Sequence, residues 1–303
     1  MSKRRLFILL ALALCLGAIL FAGVMTMLNW DFRRLSTVKY ETNEHRVTEA
    51  FDSIRISSDT ARIILLPSED GQTTVICHER TKSPHAVSVR DGVLTVELTD
   101  HRRWYDYIGL DFGSPTVTVR LPIGVYAELS VKTKTGGISV PSGFSFSNVS
   151  LLASTGSIAL ESSVSGNLSV KVNTGRIRIS NTSVSGNAFF ESDTGKITIT
   201  HLTCHSLSAE VDTGDLILED VLASDRLSLE SDTGDVRLTR CDASDIDIET
   251  DTGSIIGTLL SEKLFDAKSD TGRVRTPEPS GTERCRLRTD TGRIEITLDL
   301  GSD

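Results

Sequence analysis

Nine Thr-Gly pairs recur along this chain at intervals of 19 or 20 residues, with glycines at Gly136, Gly156, Gly175, Gly195, Gly214, Gly234, Gly253, Gly272 and Gly292. From Gly195 onward an aspartate precedes each pair, so the tripeptide Asp-Thr-Gly occurs six times in succession. A fixed period near ~20 residues means one supersecondary unit stacked on copies of itself. The even spacing leaves little chain for the long loops from which active-site clefts are built.

The residues around each glycine say what the unit is. Apolar or small side chains stand three, five and seven positions before it, as in Leu207, Ala209 and Val211 or Leu168, Val170 and Val172. Polar residues such as Ser208, Glu210, Ser228 and Glu230 alternate with them. Strict period-two alternation predicts a strand with one buried and one wet face. A second short strand follows the glycine, with Leu216 and Leu218 or Val236 and Leu238 inward, and a looser third side carries pairs such as Val221 and Ala223. At about 3.3 Å per residue, one period gives a perimeter of roughly 66 Å, and nine coils about 4.8 Å apart make a rod roughly 43 Å long. The prediction is an all-β fold, a β-solenoid (single-stranded β-helix) of ~20-residue coils. Glycine suits the corner because it takes positive φ without steric cost. The aspartate is expected to accept hydrogen bonds from the turn amides. A degenerate copy runs through Ile54, Ile56, Ser58, Asp59, Thr60, Ala61, Ile63 and Leu65, with alanine at the glycine position.

Lys3, Arg4 and Arg5 precede an uncharged apolar stretch, residues 6–28. At 1.5 Å per residue that is long enough to span a hydrocarbon core of about 30 Å. Basic residues before the span predict a signal anchor with residues 1–5 cytoplasmic and the rest extracytoplasmic. A cleaved signal peptide is the alternative, although the run exceeds the usual ~7–15-residue signal core. Residues 29–49 read as a polar stalk. Residues 50–126 read as an atypical N-terminal β cap, with strands at 73–77, 86–89, 93–98 and 116–121 and a hairpin turn at Arg90-Asp91-Gly92. Residues 127–303 form the solenoid proper. The stretch 101–113 breaks the alternation and concentrates Trp104, Tyr105 and Tyr107 in a chain with only 5% aromatics, which makes these three the candidate binding residues or, alternatively, part of the cap.

A net charge of −9 disfavours nucleic acid as a partner. Asp193, Asp212, Asp232, Asp251, Asp270 and Asp290 are expected to stack in one column, with Glu191, Glu210, Glu230 and Glu249 in a second. Such oxygen-rich columns suit calcium, but each aspartate has a sufficient role at its own turn, and no metal or other cofactor is expected. His201, Cys204 and His205 form a ligand-like cluster lacking a fourth zinc ligand nearby in sequence. Cys204, Cys241 and Cys285 fall on inward slots as free thiols, and Cys77 has no assignable slot.

A basic N-terminus, one apolar span and β-strands punctuated by serial Asp-Thr-Gly resemble the LiaG-like "putative adhesin" family of bacterial envelope proteins, also called toastrack domains. The resemblance covers about residues 45–300. It departs at the early corners, where Lys134, Ser154 and Asn173 replace aspartate. It implies a β-solenoid on the outer side of a Gram-positive membrane, without established catalysis. The expected function is therefore a non-enzymatic, membrane-anchored binding or scaffolding module with an envelope protein or glycan partner. An accessory regulator of an envelope-stress response, acting through a membrane partner, is the alternative, and a polysaccharide-active enzyme the remote one.

Overall fold

A computed structural model of the chain describes residues 3–36, 38–101, 111 and 113–300. An α-helix, Lys3–Met27, opens the chain. Past Lys3, Arg4 and Arg5 it is apolar all round, and residues 4–27 are long and apolar enough to cross a membrane, a property that a signal sequence shares. The rest is almost wholly β and winds into a solenoid of about nine turns.

Each turn has three sides. In the turn around Gly214, Ser206–Thr213 leads into the Thr-Gly corner and Leu216–Ala223 follows it. Leu207, Ala209, Val211, Leu216, Leu218, Val221 and Ala223 all point inward and are buried. The alternation in sequence thus becomes a continuous apolar column along the axis, since every inward side chain sits on its counterpart one coil away. Pairing between coils is parallel and in register: Thr174, Thr194, Thr213, Thr233 and Thr252 are successive partners. Gly214 has φ +143°, and a Cβ there would lie 1.5 Å from the carbonyl oxygen of Gly195. Glycine is needed both for the turn and for the closeness of the coils. Ala61, at the degenerate corner, has no positive φ, so that corner is relaxed.

A further corner is invisible in the spacing. Asn181, His201, Asp220 and Arg240, each six residues after its glycine, adopt left-handed backbone with φ between 50° and 55°. Only asparagine and aspartate among these tolerate that region readily. The corner holds because neighbours brace one another: Arg240 donates to Asp220 at 2.7 Å, and His201 lies 3.4 Å from it on the other side. At the third corner an asparagine ladder does the same work, the Oδ1 atoms of Asn148 and Asn167 accepting from the backbone N–H of Asn167 and Asn187.

The coils do not stack in chain order at either end. Strand Arg284–Thr291 pairs with Asp245–Thr252 on one side and with Leu264–Thr271 on the other. The last coil is therefore inserted between its two predecessors, and the aspartate column runs Asp193, Asp212, Asp232, Asp251, Asp290, Asp270. Equal spacing conceals this swap, but burial explains it. Cys285, Leu287, Ile294 and Ile296 are fully inward, whereas the outer coil offers Leu264, Phe265, Ala267 and Val274, all at least partly exposed. At the other end Ser53–Ser58 lies between Val93–Leu98 and Gly124–Thr135, so the first coil is again second in space. Thr73–Arg80 closes that end by antiparallel pairing with Thr116–Leu121. Tyr40–Val47, expected within the 29–49 stalk, is instead a strand antiparallel to Thr73–Arg80.

Candidate functional sites

Of the residues expected to bind, Trp104, Tyr105 and Tyr107 lie outside the described residues. Beside them in sequence, Asp111 forms an ion pair with Arg80 and accepts from the Tyr40 hydroxyl at 3.0 Å, while the Tyr40 ring stacks on His78 with centroids 5.3 Å apart.

The six corner aspartates are exposed. Among the described residues none of their carboxylates accepts a hydrogen bond from its own turn, contrary to the expected Asx turns; Asp270 instead pairs with Lys268 at 2.7 Å. The residue after the glycine takes the bracing role, Asp235 Oδ1 accepting from the Ser254 N–H at 2.9 Å. The aspartate is free of that task because strand pairing already satisfies the corner amides, as in the bond from Gly214 N–H to the Thr233 carbonyl. The glutamate column is real: Glu191, Glu210, Glu230 and Glu249 are successive register partners. It is bounded by cations, with Lys171 at 2.6 Å from Glu191 and Arg286 at 3.4 Å from Glu249. Glu230, in mid-column, has its carboxyl pushed above the usual range, first by partial burial and then by the charges of Glu210 and Glu249.

The side that follows the Thr-Gly corner is mixed, basic on two neighbouring coils and acidic at Asp215 and Asp235 on the next two. Arg176, Arg178 and Lys196 project from neighbouring coils into an open groove of about 700 Å³ floored by the glycines and edged by Thr194 and Thr213. Lys196 is paired with Asp215 at 3.2 Å. Among the described residues Arg176 and Arg178 have no ionic partner. At the swapped end Arg273, Arg275 and Arg293 line a second groove of about 440 Å³.

The His201, Cys204 and His205 cluster does not converge. Cys204 is buried on the axis, its thiol pushed up to about 12 by desolvation. His201 is exposed at the left-handed corner, and His205 bonds to the Ser224 hydroxyl at 3.1 Å. Cys241 and Cys285 are buried free thiols, as expected.

A cluster that sequence reasoning missed sits in the N-terminal end. Strand Thr73–Arg80 buries Thr73, Val75, Cys77 and Glu79 on one face. Glu79 is therefore a carboxylate in a core position, only 1% exposed. His85 meets it: Nδ1 is 2.6 Å from Glu79 Oε2, and the His85 backbone N–H donates to the same oxygen at 2.7 Å. Asn43 Nδ2 donates to Oε1 at 2.8 Å, and the Ser58 hydroxyl lies 3.0 Å from His85 Nε2. Cys77 completes the group, its thiol pushed up to about 12 by burial and the Glu79 charge. The readable signal was the alternation itself, which, carried past residue 77, puts Glu79 in the inward phase.

Known proteins match the fold. A structure titled as a putative adhesin from Parabacteroides distasonis superposes with TM-score 0.54 at 13% identity, covering 86% of this chain and 98% of that one. A putative adhesin from Parabacteroides merdae gives TM-score 0.54 at 12% identity over 86% and 96%. A second Parabacteroides distasonis protein, titled a putative lipid binding protein, gives TM-score 0.54 at 13% identity over 86% and 98%. At these identities the likeness is one of fold. No curated protein matches the chain. The model of the toastrack domain DUF4097 matches residues 51–297, nearly the whole of the described solenoid, and the chain belongs to that family.

Proposed function

We propose that this protein is a non-enzymatic, membrane-anchored module of the bacterial cell envelope whose solenoid stands outside the membrane and binds an extended anionic envelope polymer. The observation that carries this reading is the groove beside the Thr-Gly corners. Among the described residues Arg176 and Arg178 face it without ionic partners, and hydroxyls of stacked threonines border it. Guanidinium groups recognise phosphate and carboxylate by paired hydrogen bonds. Arg176 and Arg178 share one coil and Lys196 follows at the register position of Arg176 on the next, about 4.8 Å away, so the three cations stand side by side for the charged groups of one stretch of polymer. Adhesin titles among proteins of the same fold are consistent with a binding role. Trp104, Tyr105 and Tyr107 are proposed as a separate contact region.

The test uses the full chain in detergent micelles and immobilised poly(glycerol phosphate), with an uncharged glucan as control. The expected result is salt-sensitive binding to the phosphate polymer, weakened at least about tenfold by the double substitution Arg176→Glu, Arg178→Glu at unchanged melting temperature. Equal binding to the uncharged glucan, or full binding by the double variant, overturns the reading.

A further inference from the structure

We propose that Cys77, Glu79 and His85 form a binding site for a divalent transition-metal ion, zinc by their donor chemistry, inside the N-terminal end of the solenoid. This is independent of what the groove binds. The three side chains bring a sulfur, a carboxylate oxygen and an imidazole nitrogen to within 4.8 Å of one another, and all three are buried. Among the described residues no other three histidine, cysteine, aspartate or glutamate side chains converge in this way. Thiolate, imidazole and carboxylate together are the zinc donor set, whereas calcium and magnesium take oxygen alone.

The arrangement is built in advance. Cys77 and Glu79 project from one face of a single strand held between two antiparallel neighbours, Tyr40–Val47 and Thr116–Leu121. His85 opens the next strand, and its backbone N–H is tied to the same carboxylate. The outer contacts are those expected around metal ligands. Ser58 meets His85 at Nε2, which leaves Nδ1 facing the carboxylate, and Asn43 fixes the second carboxylate oxygen. An ion would take the place of the proton between His85 Nδ1 and Glu79 Oε2. Zinc–ligand bonds of about 2.0–2.3 Å require those atoms to separate by less than about 1 Å.

The order Ser58, His85, Glu79 also resembles a nucleophile relay. The adjoining cavity is only about 10 Å³, hardly room for one water and none for a substrate carbonyl. Ser58 Oγ moreover accepts from the Ala61 N–H at 3.3 Å, inside the wall. The geometry points to an ion.

The experiment loads chelator-stripped full chain in detergent with cobalt(II) and then zinc. Expected are a near-ultraviolet thiolate-to-cobalt charge-transfer band that zinc abolishes, stoichiometric zinc retained through dialysis, and a raised melting temperature. Cys77→Ser should lose the band, while Cys285→Ser keeps it. Asn43→Ala should keep the band and weaken metal affinity about 10–100-fold. Where Cys77→Ser fails to fold, the wild-type protein still decides: bound zinc should protect Cys77 from alkylation in partly denaturing urea. Absence of the band in the wild-type chain, or its persistence in folded Cys77→Ser, overturns the proposal, as does unchanged alkylation with zinc.

Discussion

At Gly214 two demands coincide that no other residue meets. The backbone is in the region that disfavours any Cβ, and the space a Cβ would occupy holds the carbonyl oxygen of Gly195. The obstacle is main chain in a paired strand, so no side chain can rotate aside to relieve it. Gly214→Ala is expected to cost at least about 3 kcal/mol, combining backbone strain with forced separation of two coils. Urea unfolding should show a lowered midpoint; a loss below about 1 kcal/mol would mean that the corner can slide. The left-handed residues at the next corner show what is tolerated. His201 and Arg240 accept a backbone cost of roughly 1–2 kcal/mol because open solvent, not a carbonyl, faces their side chains.

At the scale of the strand, the glutamate ladder shows a stacked fold multiplying one side chain's electrostatics. Glu210, Glu230 and Glu249 are register partners, so like charges stand opposite one another on adjacent strands, an arrangement that destabilises a sheet. Because the folded Glu230 carboxyl titrates above its ordinary value of 4.5, its ionisation detracts from stability as pH rises through that window. The loss is full at pH 7 and absent well below pH 4.5. Glu230→Gln should therefore melt higher than wild type at pH 7 in low salt, by an amount that shrinks in 1 M NaCl and vanishes at pH 3. Melting curves over that range check it; a variant no more stable at pH 7 would show that Lys171 and Arg286 already neutralise the ladder.

Much of this element was readable in the chain. The inward triplets, the corner glycines and the glutamate column follow from period-two alternation and a repeat near 20 residues. Four things were not. The left-handed corner at Asn181, His201, Asp220 and Arg240 has no common residue type to announce it. The coil order at the ends leaves the spacing unchanged. Cys77 and Glu79 were missed because the strand was expected to stop at Cys77, since a glutamate at the next inward slot contradicts ordinary burial. Only the approach of His85 at the start of the next strand, and of Asn43, distant in sequence, makes that slot habitable. The groove was hidden for a related reason: Arg176, Arg178 and Lys196 occupy outward positions that look merely solvated until coils are laid side by side.

For the whole molecule, the swapped ends alter how a rod of local contacts holds together. In a plain stack each coil touches only its sequence neighbours, so losing the last coil costs one interface. Here Arg284–Thr291 is the shared neighbour of Asp245–Thr252 and Leu264–Thr271. Buried Lys263 adds a clasp, pairing with Asp242 at 2.7 Å and with Glu283. A chain ending at residue 283 should lose amide protection in hydrogen exchange over residues 264–275 as well as at 245–259, while the coils around Gly156 to Gly214 stay protected. Retained protection at 264–275 would show that the outer coil can dock without the inserted one.

That insertion also governs the timing of assembly. A chain synthesised from its amino end can wind up coil by coil, each new strand templated on the last. The seat of Arg284–Thr291, however, lies between two segments that are made before it. They cannot settle for good until that strand has arrived, a delay set by the rate of synthesis and not by loop closure. A prematurely terminated molecule is thus left with an unfilled slot and two unpaired strand edges, the kind of surface that proteases and aggregation act on. At the end of the solenoid distant in sequence from the apolar helix, the order of synthesis therefore differs from the order of stacking.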